Sequence, residues 1–247
     1  MPPRGPRTAL LLIAAGFFAL GIASVILRPR SPISPTFSAP AATSAAPNAP
    51  QETALILGVD DLQSESPRLV AVWLAAHRPP GDSLFLFGLP VDAATAEGPT
   101  LEESFAWTSD EGPDPAFLDA VRSISPLPLE FTVVLDETAF AGLIDFLGGV
   151  ELDGADVGGR EVLGVMSLLT SDPSAALEAQ RRLLEALARH AQAVGPGSEL
   201  QPLVDLIPDH AFTSIPASQV LTLAAPLLPL TADRIHVSLP VPEPVEE

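Results

Sequence analysis

The 247-residue chain sets 12 arginines and no lysine against 31 carboxylates, a formal charge of −19, with 47% hydrophobic residues and no cysteine. The hydrophobic content excludes a wholly disordered chain, and the missing cysteine excludes disulfides, thiolate metal sites and a thiol nucleophile. Arg4, Arg7, Arg28 and Arg30 precede every carboxylate, so 31 acidic residues meet only eight arginines from Glu52 onward, a formal −23. Nucleic acid and anionic headgroups are poor partners for such a region, and solubility is the plainest reading of the charge.

Residues 1–7 form a short basic N-terminus. Thr8 to Leu27 then runs for 20 residues without a charge, which as a helix is about 30 Å long and matches the hydrocarbon core of a bilayer. Arg28-Pro29-Arg30 follows directly and reads as a stop at the interface rather than a signal-peptide cleavage site. The expectation is an uncleaved single-pass anchor in the cell membrane, with the N-terminus cytoplasmic and the rest of the chain extracytoplasmic. Residues 28–52 are rich in Pro, Ala and Ser and read as an extended linker.

The folded region is expected over residues 53–240. Ala54 to Val59 is an apolar run of strand length, followed by strands at Leu69–Ala76 and Ser83–Leu89. Pro79, Pro80 and Gly81 between the latter two predict a hairpin-like turn and antiparallel pairing. Helical patterning covers Pro113–Ser123. Phe131–Leu135 reads as a strand, and Asp136 as the cap of a helix over Glu137–Leu147 that stops at Gly148-Gly149. Val150–Leu152 is short and extended. Asp153 to Gly159 reads as a turn, because it lacks the alternating ligands and closing Glu of a calcium loop. Ser174–Ala193 is amphipathic, with Leu177, Leu183, Leu184 and Leu187 on one stripe. A helix over Pro216–Leu228, with Ser214 as a cap, and a strand over Ile235–Leu239 complete the domain; residues 241–247 are a disordered tail. Strands and helices alternate, so the expected class is α/β, a mixed central sheet flanked by helices and preceded by one transmembrane helix.

Familiar catalytic patterns are missing. His77, His190, His210 and His236 have no zinc-site spacing, and there is neither a nucleophile elbow nor a phosphate-binding Gly-Lys-Ser/Thr loop.

Four stretches in order carry a resemblance: LILGVDD (Leu55–Asp61), SLFLFGLPVD (Ser83–Asp92), FTVVLDETAFAGLIDFLGGVEL (Phe131–Leu152) and AAPLLPLTADRIHVSLP near the C-terminus. Together they resemble the LytR–CpsA–Psr family of cell-envelope proteins across nearly all of residues 53–240. The resemblance implies a type II membrane protein that transfers a glycopolymer from a polyprenyl-pyrophosphate carrier to the cell wall. It also implies a lipid tail in an apolar pocket, and a pyrophosphate gripped by arginines and an aspartate-held Mg²⁺. On this sequence Asp60 and Asp92 match the family's aspartates and are the candidate metal ligands. Arg68, Gln180 and Arg181 are the candidate ligand-binding residues; Arg181 and Arg182 would either reach back one turn as substitute cations or, the plainer reading, lie on a solvated helix face. The apolar runs Leu84–Leu89, Phe140–Leu147, Leu163–Leu169 and Leu221–Leu230 would line the lipid pocket, or simply form the core.

The sequence departs from that pattern where charge matters. Val91 stands in place of the arginine before Asp92, and Val70 in place of the second aspartate. The late family arginines fall near Ser167, Leu169, Ala176 and Ala179, leaving Asp172 and Gln180 as matches. Pyrophosphate facing carboxylates without these cations would be held at a cost of several kcal/mol. The expectation is therefore a non-catalytic domain that binds or scaffolds in cell-wall glycopolymer assembly, with a polyprenyl-linked glycan or envelope proteins as partners. An active phosphotransferase with relocated cations and an unrelated structural ectodomain are the alternatives.

Overall fold

The computed structural model describes residues 51–77, 83–95, 98–109, 111–125, 127–152, 154–168, 173–191, 207–216, 219 and 232–239. The expected membrane span, nearly all of the linker, most of the Pro216–Leu228 helix and the C-terminal tail lie outside these residues. No helix among the described residues is long and apolar enough to cross a membrane.

The described residues contain ten strands: β1 (Glu52–Val59), β2 (Leu69–His77), β3 (Leu84–Leu89), β4 (Trp107–Thr108), β5 (Gly112–Pro113), β6 (Phe131–Leu135), β7 (Val150–Leu152), β8 (Ala155–Val157), β9 (Ala211–Thr213) and β10 (Ile235–Ser238). Six of them form a mixed sheet in the order β10-β3-β2-β1-β6-β9. The β1–β2 and β2–β3 pairs are antiparallel, as the turn residues predict, whereas β1–β6 and β3–β10 are parallel. β1 is central and buried from Thr53 to Val59. That is why it reads as a continuous apolar run rather than an alternation. It starts at Glu52, one residue inside the expected linker.

Helices follow as α1 (Leu101–Ser104), α2 (Pro115–Ile124), α3 (Glu137–Phe146), α4 (Gly159–Leu168), α5 (Pro173–Ala191) and α6 (Ile207–His210). α2 begins two residues later than the pattern suggests. Asp114 caps it by accepting from Ala116 N–H at 2.7 Å, and Pro115, which has no N–H to lose, takes the first turn. Asp136 caps α3 as expected, with Oδ1 accepting from Thr138 and Ala139 N–H at 2.9 and 3.0 Å. The helix ends at Gly148-Gly149, whose φ values of 85° and 94° are left-handed. Their N–H groups reach back to Asp145 and Ile144 carbonyls.

Part of the stretch expected as a turn is instead the strand β8, which pairs with β7 in a small hairpin beside the left-handed Gly154, and Gly159 opens α4. The Ser214 hydroxyl accepts from Thr132 N–H at 2.8 Å, which extends the β9–β6 pairing. Of the apolar runs read as pocket or core, Leu84, Leu86 and Leu89 of β3 join one continuous core with Phe140, Leu143 and Ile144 of α3, and Leu163 packs against it, whereas Val165 is exposed.

Candidate functional site

The topology brings the sequence candidates to one end of the sheet. β1 finishes there at Val59 and β2 starts opposite it at Leu69. β3 finishes there at Leu89. β6 runs parallel to β1, so Asp136 and Glu137 emerge at the same end, and β9 enters beside them directly after His210. Ligand sites in α/β sheets favour such strand ends, where loops converge without interrupting the ladder.

Asp60 and Arg68 close the β1–β2 loop on each other. Asp60 Oδ1 accepts from Asp61 N–H (2.9 Å) and Arg68 N–H (2.7 Å), and Oδ2 accepts from Arg68 Nε at 2.7 Å. The Asp60 N–H in turn donates to the Arg68 carbonyl. Asp61 caps the next turn through Gln63 N–H, and Gln63 Nε2 donates to the Asp209 carbonyl at 2.6 Å, which ties this loop to α6.

Asp92 sits in the turn after β3, braced by Ala93 N–H to Pro90 O and by Glu102 N–H to Val91 O. Its Oδ1 is buried without a hydrogen-bond partner. Two further carboxylates surround Arg68. Glu102, on α1, titrates above the ordinary carboxylate value because of burial, and Asp92 and Glu103 push it further while Arg68 opposes. Glu137, the first residue of α3, is raised by burial and then by Asp60 and Asp136. The sequence reading missed both. Their only signal was position, one inside a capping box starting at Thr100 and one beside the Asp136 cap.

Among the described residues no three acidic or histidine side chains converge as a metal-binding group. Asp60 already accepts three N–H donors, so of the two candidate metal ligands only Asp92 offers an uncommitted oxygen. As arranged, the donor set does not fit a Mg²⁺ ion, which needs several oxygens in near-octahedral array.

Beside this rim lies a cleft lined by Val70, Ala71, Leu89, Pro90, Val91, Leu177 and Gln180. It holds about 10 Å³, room for a single water at most. Val70 and Val91 both line it, and Gln180 is buried in its wall. Arg181 is committed along its own helix. It donates to both Glu178 oxygens, at 2.6 and 2.9 Å, and to Glu185. These bonds hold Glu178 down at about 2 and raise the guanidinium further above its ordinary value. Arg68 and Gln180 thus border the strand-end site, while Arg181 is bound to carboxylates on the face of α5. Asp172 and Leu169 lie outside the described residues, as do the side chain of Ser167 and residues 221–230.

His210 adds a feature that its isolated place in the sequence hid. Its Nδ1 lies 2.7 Å from Asp136 Oδ2, and its carbonyl accepts from Asp136 N–H. The buried cap of α3 therefore also anchors the chain entering β9.

No family model and no curated protein matches the sequence. Solved structures do. The chain is similar to Bacillus subtilis TagV, with a TM-score of 0.61 at 15% identity over 78% of this chain and 85% of that one. It is also similar to TagT bound to LI-WTA, with a TM-score of 0.57 at 16% identity over 76% and 78% of the two chains. A third structure, the B. subtilis transcriptional regulator yvhJ, gives 0.57 at 16% identity over 78% and 83%. The class is thus a mixed α/β domain with a central sheet flanked by helices. The particular fold is LytR–CpsA–Psr-like, as the four ordered stretches imply.

Proposed function

We propose that this chain is a membrane-anchored, extracytoplasmic LytR–CpsA–Psr-like protein that binds or scaffolds in cell-wall glycopolymer assembly without transferring the polymer itself. The cleft carries the reading. Where the resemblance calls for arginine and aspartate, Val91 and Val70 line one cleft together with Leu89 and Leu177. Arg68 is paired with Asp60 and sits among Glu102 and Glu137, so the charge next to the cleft favours cations over a pyrophosphate. The likeness to TagV and to TagT bound to LI-WTA supports an envelope role, and Val70 and Val91 offer a phosphate no cation. The Thr8–Leu27 segment supplies the anchor in this reading.

The test is thermal unfolding of the full chain with and without a polyprenyl-pyrophosphate analogue, each with and without Mg²⁺, followed by a turnover assay. A ligand at a hundred times its Kd adds about 2.7 kcal/mol of stability. The expected result is an upward shift with no turnover. Turnover with Mg²⁺ would overturn the non-catalytic assignment, and no shift under any condition would leave a fold kept for protein contacts rather than for a ligand.

One observation favours an active phosphotransferase as the second reading: the unpartnered Asp92 Oδ1 beside Glu102. Magnesium would enter through Asp60 and Asp92 only if Arg68 left Asp60, so a Mg²⁺-dependent shift abolished by Asp92→Asn would support it.

A further inference from the structure

The β6–β9 ladder continues one pair beyond its strands. Leu135 pairs with Ala211, and at the next position Asp136 N–H donates to the His210 carbonyl at 3.1 Å. Asp136 and His210 are therefore opposed on one face of the sheet, the face that also carries the Val134–Phe212 pair. Their side chains meet there. His210 Nδ1 lies 2.7 Å from Asp136 Oδ2, the carboxylate 2% exposed and the imidazole 27%.

This contact fixes the ring. Asp136 Oδ1 already accepts from Thr138 and Ala139 N–H. A carboxylate offers only acceptors, so the proton in the contact with Oδ2 is on Nδ1. The neutral imidazole then carries its lone pair on Nε2. That nitrogen has no hydrogen-bond partner among the described residues and is open to solvent. Capping α3 does not need it, because Oδ1 alone reaches the helix N–H groups. What the pair adds is an acceptor of fixed orientation at the surface. The chain around it supplies further acceptors and an aromatic ring. Exposed Asp209 precedes His210, half-buried Glu137 follows Asp136, and half-buried Phe212 stands edge-to-face with Trp107 at 5.3 Å. A sugar unit is complementary to such a place, with hydroxyl donors on its rim and an apolar C–H face.

We propose that the His210–Asp136 pair is a hydroxyl-binding site for a neutral sugar unit. Nε2 accepts from a sugar O–H, Asp136 is the positioning residue that holds the ring, and Phe212 lies beside it for the C–H face. This rests on the glycopolymer-binding reading above and adds which part of the polymer is recognised: the sugar, not its lipid or pyrophosphate carrier.

The experiment titrates the full chain in detergent with a neutral N-acetylglucosamine tetramer, followed by calorimetry and by nitrogen NMR of labelled histidine rings. The free chain is expected to show His210 protonated on Nδ1 and bare on Nε2, and the tetramer to move the Nε2 resonance most. His210→Asn keeps a donor for Asp136 but does not reach the Nε2 position. It should bind about tenfold more weakly, with an unfolding temperature close to the parent's. A free ring protonated on Nε2 instead, or equal binding by His210→Asn, overturns the site. So does a parent chain that binds no tetramer, or only the cationic glucosamine tetramer, which would assign this end to cations. Each of these failures leaves the polyprenyl-analogue melts to decide the reading above by themselves.

Discussion

Two adjacent regions at one end of the sheet have opposite characters. The rim around Arg68 gathers Asp60, Asp92, Glu102 and Glu137, whereas the cleft beside it presents Val70, Leu89, Val91 and Leu177. An anion site needs its cations in the cleft and its carboxylates neutralised by a metal. Here the cleft has no charge to offer from Val70 or Val91, and the rim has more carboxylate than its arginine balances. The comparison teaches that one sheet end can hold an acidic rim and a largely uncharged cleft side by side, because the ladder positions residues whatever side chain they carry.

The largest expected effect tests the scaffold under the rim. Asp136→Ala removes the cap of α3 and the partner of His210 together, and should destabilise the domain by about 2 kcal/mol in urea denaturation. Asp136→Asn keeps an acceptor for Thr138 and Ala139 and should recover most of that loss. If the alanine variant is neutral, the rim is not held by this junction.

A charge placed in the cleft would erase the difference between the two regions. Val91→Arg sets a guanidinium between Pro90 and Asp92, and should bring inorganic pyrophosphate affinity up about tenfold by calorimetry, some 1.4 kcal/mol. Val91→Leu is the control for size and should bind no better than the parent.

The smallest effect concerns the rim's own charge. Burial and neighbouring carboxylates raise Glu137 above its unfolded value of 4.5. The folded state then holds its proton to higher pH than the unfolded state, so stability falls as pH rises through the raised value. Glu137→Gln should be more stable than the parent at pH 7 by about 0.5 kcal/mol, the two converging below pH 4.5 in thermal melts. Glu178 has the opposite sign: bonded to Arg181, it adds stability above 4.5 that is lost as pH falls toward 2, an exposed contribution that salt should weaken.

Much of the framework was legible from local chemistry. The β1, β2, β3 and β6 strands, the Asp136 cap, the Gly148-Gly149 stop and the antiparallel β2–β3 pair follow from apolar runs, turn residues and capping preferences, which act over a few residues. What sequence alone left undetermined was proximity. Glu102 and Glu137 lie far from Arg68 along the chain, and only the parallel β1–β6 pairing and the turn after β3 bring them to it. His210 meets Asp136 across 74 positions, and Leu177 comes close to Gly88 only through the packing of α5 on the sheet. Side-chain pattern encodes which face is buried. Which distant faces and strand ends meet is decided by the sheet order, and with it the field that any ligand at this end would encounter.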